Sequence, residues 1–166
     1  MQKITTYKNC FIDGAISSEK IAKSIANHQK KTNIGAHQIF LGQVRADIIN
    51  NKQVIGIEYS AHNEMANKVF HEIREETFIK YNLTCMHIYH SLGLVNTGEI
   101  CLFVFASSKH RKAAQKAIEF LVEQIKEKAP IFGREIFADN THTWKKNDWN
   151  NSQTYYSQNC YSTSNS

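Results

Sequence analysis

Along residues 3–137 the apolar side chains switch repeatedly between two spacings, every second residue and every third or fourth. This switching limits the fold more than any single motif, because a period of two sets strands and a period near 3.6 sets helices. Residues 3–13 (KITTYKNCFID) read as a strand that Gly14 ends. Ser17 stands where a helix cap is wanted, ahead of Ile21, Ala22, Ile25 and Ala26 at helical spacing. Residues 34–44 (IGAHQIFLGQV) read as a strand, 46–53 as a loop or hairpin tip, and 54–60 as the next strand. A helix is predicted over 63–81 with Met65, Ala66, Val69, Phe70 and Ile73 inside. Strands over 85–93 and 99–107 flank a turn at 96–98, which predicts a hairpin. The last helix, 109–128, carries Ala114, Ala117, Ile118, Leu121 and Ile125 as its stripe, and one more strand follows Pro130.

The order βα-ββ-α-ββ-α-β predicts an α+β fold, a mainly antiparallel sheet covered by helices. Its length, 166 residues, suits one domain with a real core. We assign residues 1–146 to it. Residues 147–166, rich in Asn, Ser, Gln and Tyr, are expected to form a flexible tail. One proline and seven glycines argue against collagen-like or multi-turn all-β architectures. No run is apolar enough for a membrane span or a secretory signal, so a cytoplasmic protein with no membrane partner is expected. Cys10, Cys85, Cys101 and Cys160 are widely spaced, which disfavours a zinc or disulfide framework, and Cys85 and Cys101 read as small buried hydrophobes.

Phosphate-loop, dinucleotide-fingerprint, nucleophile-elbow and HExxH motifs are all absent. His87 and His90, three apart on a strand, point to opposite faces and cannot chelate together, so no metal or cofactor is expected. One segment breaks a local rule. Lys109, His110, Arg111 and Lys112 open the last helix, where the macrodipole favours acids, and no acid lies between Ile100 and Ile118. Free N–H groups, the dipole and the cations together make either an anion site or simply a solvated basic turn. At the other end Lys126 adjoins Ile125 at the margin of the buried stripe. A lysine there either complements the helix dipole or, partly desolvated, serves acid–base or acyl chemistry. Arg45 follows the strand that ends in Gly42-Gln43-Val44. The formal charge is +5, and residues 109–134 hold seven Lys or Arg against three Glu, a net +4, so most of the excess surrounds one helix.

The set IGAHQIFLGQVR (34–45), IEYSAHNEMA (57–66), IYHSLGLVNTGE (88–99), SSKHRKAA (107–114) and IKEKAPIFGREIF (125–137) resembles the large, catalytic subunit of molybdopterin synthase over about residues 30–146. The resemblance implies an α/β hammerhead-type fold and a homodimer within a working heterotetramer. It also implies a sulfurtransferase acting on cyclic pyranopterin monophosphate. Sulfur would arrive as the C-terminal Gly-Gly thiocarboxylate of a small ubiquitin-like partner subunit, and two transfers would build the dithiolene of molybdopterin. Residue by residue, the resemblance gives Lys126, Arg45 and Arg134 catalytic roles. Gln43, Arg45, His110, Arg111, Lys126, Gly133, Arg134 and Glu135 would hold substrate, and Phe40 and Val122 would line the pocket wall. Two positions depart from the family pattern. After the proline the family has an aromatic residue, Trp and a catalytic Lys, whereas this chain has Ile131-Phe132-Gly133, which leaves Arg134, Lys145 or Lys146 to supply the charge. The family's HRxG strand end reads His90-Ser91-Leu92-Gly93 and lacks its arginine. A non-catalytic homologue that binds a pterin phosphate or a ubiquitin-like tail is the alternative within the fold. A small basic nucleic-acid-binding domain is the alternative from charge alone, but the strands lack the paired aromatics that base stacking needs.

Overall fold

A computed structural model describes residues 6–145. The elements run β1 (Phe11–Asp13), α1 (Ser18–His28), β2 (Ala36–Gln43), β3 (Ile48–Ile49), β4 (Lys52–Ala61), α2 (Asn63–Tyr81), β5 (Cys85–Asn96), β6 (Ile100–Ser108), α3 (Arg111–Lys128), β7 (Ile131–Phe137) and β8 (His142–Trp144). The expected α+β architecture is the observed one. The sheet order is β2-β6-β5-β4-β7-β8, with β1 on β5 and β3 on β4. Every described strand pair is antiparallel except β1 with β5.

β5 joins the two halves of this sheet. Cys85–His90 pair with β6, whereas Gly93–Asn96 pair with β4. β6 is buried on both faces, and its alternation divides the core. Leu102, Val104 and Ala106 face the larger cluster, where Phe70, Ile73, Ala117, Leu121 and Ile125 of α2 and α3 cover the sheet. Phe103 and Phe105 face the smaller cluster, closed by Ile16 and Ile21 at α1. His87 accordingly lies against Phe105 and His28, and His90 against Tyr59, on opposite faces as their spacing predicts.

Local chemistry explains most element ends. The Ser17 hydroxyl accepts from the Lys20 N–H and caps α1. Asn50 and Asn51, both at positive φ, turn β3 into β4. Asn82 in the left-handed region ends α2, and Pro130 follows the Ala129 cap of α3.

Three expectations need correction. The strand read over 3–13 reduces, among the described residues, to Phe11–Asp13, and the Cys10 N–H goes to the Asn67 side chain instead of a ladder. Met65 is exposed rather than part of the α2 stripe, whose buried residues are Ala66, Phe70, Ile73 and Thr77. β8 was not foreseen. The proposed tail, 147–166, lies outside the described residues, as do Lys146 and Cys160.

Candidate active site

The ends of β2 and α3 and the start of β7 meet over the junction of the two half-sheets and enclose a cleft of about 600 Å³. Phe40, Gln43 and Arg45 come from β2 and its exit, and a register shift between Gly42 and Gln43 re-aims the end of that strand. Glu123 and Lys126 come from the last turns of α3, and Gly133 and Lys145 from the β7–β8 edge. Tyr59, His90 and Cys101 form the floor.

The electrostatics favour an anion. Arg45, Lys126 and Lys145 face one lining carboxylate, Glu123. Arg45 is held by Asp47 at 3.0 Å, in a pair that is largely solvent-exposed. Lys126 and Lys145 are exposed and form no ion pair with a described residue. Lys126 therefore stands in solvent at the cleft mouth, not desolvated in its margin.

The floor is set differently. The His90 ring is buried, and Nδ1 lies 2.8 Å from the Ser91 carbonyl oxygen. A carbonyl only accepts, so Nδ1 carries the proton and Nε2 is left as an acceptor. Burial holds the His90 imidazole below its ordinary pKa, against the opposing pull of the Ser91 carbonyl, and so favours the neutral ring. The Tyr59 ring meets His90 edge-on, with centroids 5.0 Å apart. Its hydroxyl is pushed well up by burial first, then by Cys101 and Glu135, and so remains a protonated donor. The Cys101 thiol donates to the Gly42 carbonyl at 3.4 Å.

Of the residues singled out in the sequence, Phe40, Gln43, Arg45, Lys126 and Gly133 share this cleft. Four others do not. Val122 is a core residue, 6% exposed, packed beneath the helix instead of lining the wall. Arg134 lies one residue beyond Gly133 on a strand, so it projects from the opposite sheet face, where it pairs with Glu58. Glu135 returns to the cleft side, but it is buried opposite Ile57 and is not part of the lining. His110 and Arg111 occupy the other end of α3, about 22 Å from Lys126 at the helical rise. His110 is the N-cap there without a side-chain cap bond, and the first turn holds no acid, so the basic helix start exists but not beside the cleft.

Tyr59, His90 and Cys101 were not foreseen as cleft residues. Only His90 carried a signal, through its strand-end motif. Among the described residues no group of His, Cys, Asp and Glu is placed to hold a metal ion, and no helix is long and apolar enough to cross a membrane.

The fold and site together define an α+β scaffold with an open cleft at a strand junction, lined by three cations and one carboxylate. The family model described as MoaE protein matches residues 13–128. The molybdopterin synthase catalytic subunit of Rattus norvegicus is 33% identical over 113 residues, which are 68% of this chain and 56% of that one. That of Bacillus subtilis is 35% identical over 124 residues, 75% of this chain and 76% of its own length. The chain thus spans just over half of the rat relative. The crystal structure of molybdopterin synthase from Staphylococcus aureus superposes with a TM-score of 0.72 at 28% identity, covering 83% of this chain and 96% of that one. A complex of subunits 1 and 2 of the molybdopterin-converting factor from Helicobacter pylori shares the fold, with a TM-score of 0.70 at 24% identity over 82% of this chain and 88% of that one. The chain belongs to the MoaE family of molybdopterin synthase catalytic subunits. The family match ends at Lys128, before β7, so Gly133 and Lys145 lie outside it.

Proposed function

We propose that the chain is the catalytic subunit of a cytoplasmic molybdopterin synthase. It would transfer sulfur from the C-terminal thiocarboxylate of a small ubiquitin-like partner to cyclic pyranopterin monophosphate. The observation that carries this reading is the convergence of Arg45 and Lys126, far apart in sequence, on one cleft with Phe40 and Gln43. A guanidinium suits bidentate binding of a phosphate. The Lys126 ammonium, at an open mouth, suits the carbonyl of an incoming tail. Once the tail's sulfur has bonded to the pterin, it would stabilise the oxyanion formed as water adds to the carbonyl carbon, before the C–S bond breaks and the tail leaves as a carboxylate. His90 Nε2 on the floor is an acceptor for a substrate proton.

His110 and Arg111 fit this reading through a second copy of the chain. On one protomer they lie a helix length from the cleft, so their assigned contact with substrate requires that the homodimer bring them from the partner. A mixed dimer tests this. Protomers carrying Lys126→Ala and Arg111→Ala, each inactive as a pure dimer, should regain up to half of one site's activity when mixed. Dimers that stay inactive would argue against a shared site. The function itself is tested by combining the protein with its thiocarboxylated small subunit and the pyranopterin and measuring molybdopterin. A second reading, a homologue that binds these ligands without turnover, is favoured by Gly133 where the family has lysine, and predicts binding with no product.

A further inference from the structure

We propose that Lys145 supplies the cleft cation that Gly133 lacks, so that the neighbouring strand, and not β7 itself, carries the oxyanion-holding lysine of this wall. The inference rests on the sulfur-transfer reading above.

The sheet register makes the exchange possible. Arg134 pairs with Trp144 and Glu135 with Thr143, which brings Lys145 opposite Gly133. The Lys145 N–H donates to the Gly133 carbonyl at 2.8 Å and fixes that alignment. Residues directly opposite on antiparallel strands share a face. Tyr59, opposite Gly133 on the other side, lines the cleft, and Lys145 lines it too. A Cβ built on Gly133 would stand 3.7 Å from the Lys145 Cβ. The two positions therefore launch a side chain from nearly the same point into the same space.

The wall also favours this arrangement over a side chain at 133. The added Cβ would lie 3.1 Å from Ile57 Cγ2, which would have to give by a few tenths of an ångström, and in contact with Tyr59 Cε1 at 3.4 Å. A lysine at 145 lines the same wall with no Cβ added at 133. Arg134 is excluded as the substitute, because strand alternation sends it to the far face and Glu58 engages it there. Lys145 has no described ion-pair partner, which leaves its ammonium available to an anionic ligand oxygen.

That oxygen belongs either to the substrate phosphate or to the partner's C-terminal carboxyl, and separate titrations distinguish the two. Wild type, Lys145→Ala and Lys145→Arg are compared for affinity toward cyclic pyranopterin monophosphate, affinity toward the small subunit ending in a plain carboxylate, and turnover. Loss of one charge-assisted contact should weaken one of the two affinities by about 10- to 100-fold in Lys145→Ala, while Lys145→Arg stays within about threefold. The double variant Gly133→Lys/Lys145→Ala, checked for a cooperative melt, should recover most of the loss. Lys145→Ala within about twofold of wild type in all three readouts, or Lys145→Arg as defective as Lys145→Ala, would overturn the assignment. Wild-type protein that binds both ligands but transfers no sulfur would remove the functional reading, and Lys145 would still be judged by the affinities. Binding of neither ligand would overturn both.

Discussion

Truncation of Lys126 separates chemistry from folding more cleanly than any other change in the cleft. The side chain follows buried Ile125 in the last turn of α3, is exposed, and has no described ion-pair partner. Removing such a residue shifts stability by about 0.5 kcal/mol or less, with roughly 0.3–1 kcal/mol more where its charge complements the helix C-terminus. A donor aimed at charge that develops in the transition state is worth about 2.7–4 kcal/mol, a factor of 10²–10³ in rate. Lys126→Ala is therefore expected to unfold in urea within about 1.5 kcal/mol of wild type and to keep the wild-type oligomeric state. Its molybdopterin formation should fall by at least about 100-fold. Activity and urea midpoint are measured on the same preparation, with thiocarboxylated partner in excess. Undiminished conversion would refute the role, and so would activity lost only in proportion to folded protein.

Three further outcomes follow from the geometry. Arg134→Ala should keep activity within about twofold and lose less than about 1 kcal/mol of stability, because its pair with Glu58 is half exposed on the face away from the cleft; a 100-fold activity loss would return Arg134 to the site. Gly35→Ala should destabilise by about 1–3 kcal/mol in chemical denaturation, since its Cβ would lie 2.2 Å from the Lys109 carbonyl oxygen, a backbone atom ahead of α3; wild-type stability would show that this approach is not tight. His87 is held down to about 4 by burial first, then by Lys8, His28, Arg74 and Lys31. The unfolded chain thus binds the proton more readily, and stability, full above about pH 6.5, declines as pH falls toward 4. The loss is on the order of 1–2 kcal/mol after allowance for the ring's partial exposure, and His87→Gln should flatten urea midpoints across that range to the part owed to buried His90.

The helices were legible because each combines a stripe with an end signal. α2 runs from Asn63 to Tyr81 as predicted, and the α3 stripe is buried residue for residue. Strand extents were less legible, because period two tells which face a residue takes but not whether a partner strand is present. Residues ahead of Phe11 alternate well enough, yet among the described ones only the Cys10 carbonyl bonds to β5, accepting from the His90 N–H. His142–Trp144 carries no apolar alternation and becomes β8 only through its register with β7. The cleft lining was legible where it falls at element ends, as with Arg45 and Lys126. Arg134 falls outside the lining by alternation, since a strand with Gly133 facing the cleft turns residue 134 to the other face. Tyr59 and Cys101 had no local signal, because only the junction of β4, β5 and β6 makes them neighbours.

The most direct test of the central claim follows the sulfur itself. The small subunit, loaded as its C-terminal thiocarboxylate, is mixed with this protein and cyclic pyranopterin monophosphate, and intact mass spectrometry reads the partner's C-terminus while molybdopterin is quantified in parallel. The account predicts conversion of thiocarboxylate to carboxylate that requires both this chain and the pterin, with two tails consumed for each molybdopterin formed. A tail that keeps its sulfur in the complete mixture, despite measured binding of both ligands, would contradict it.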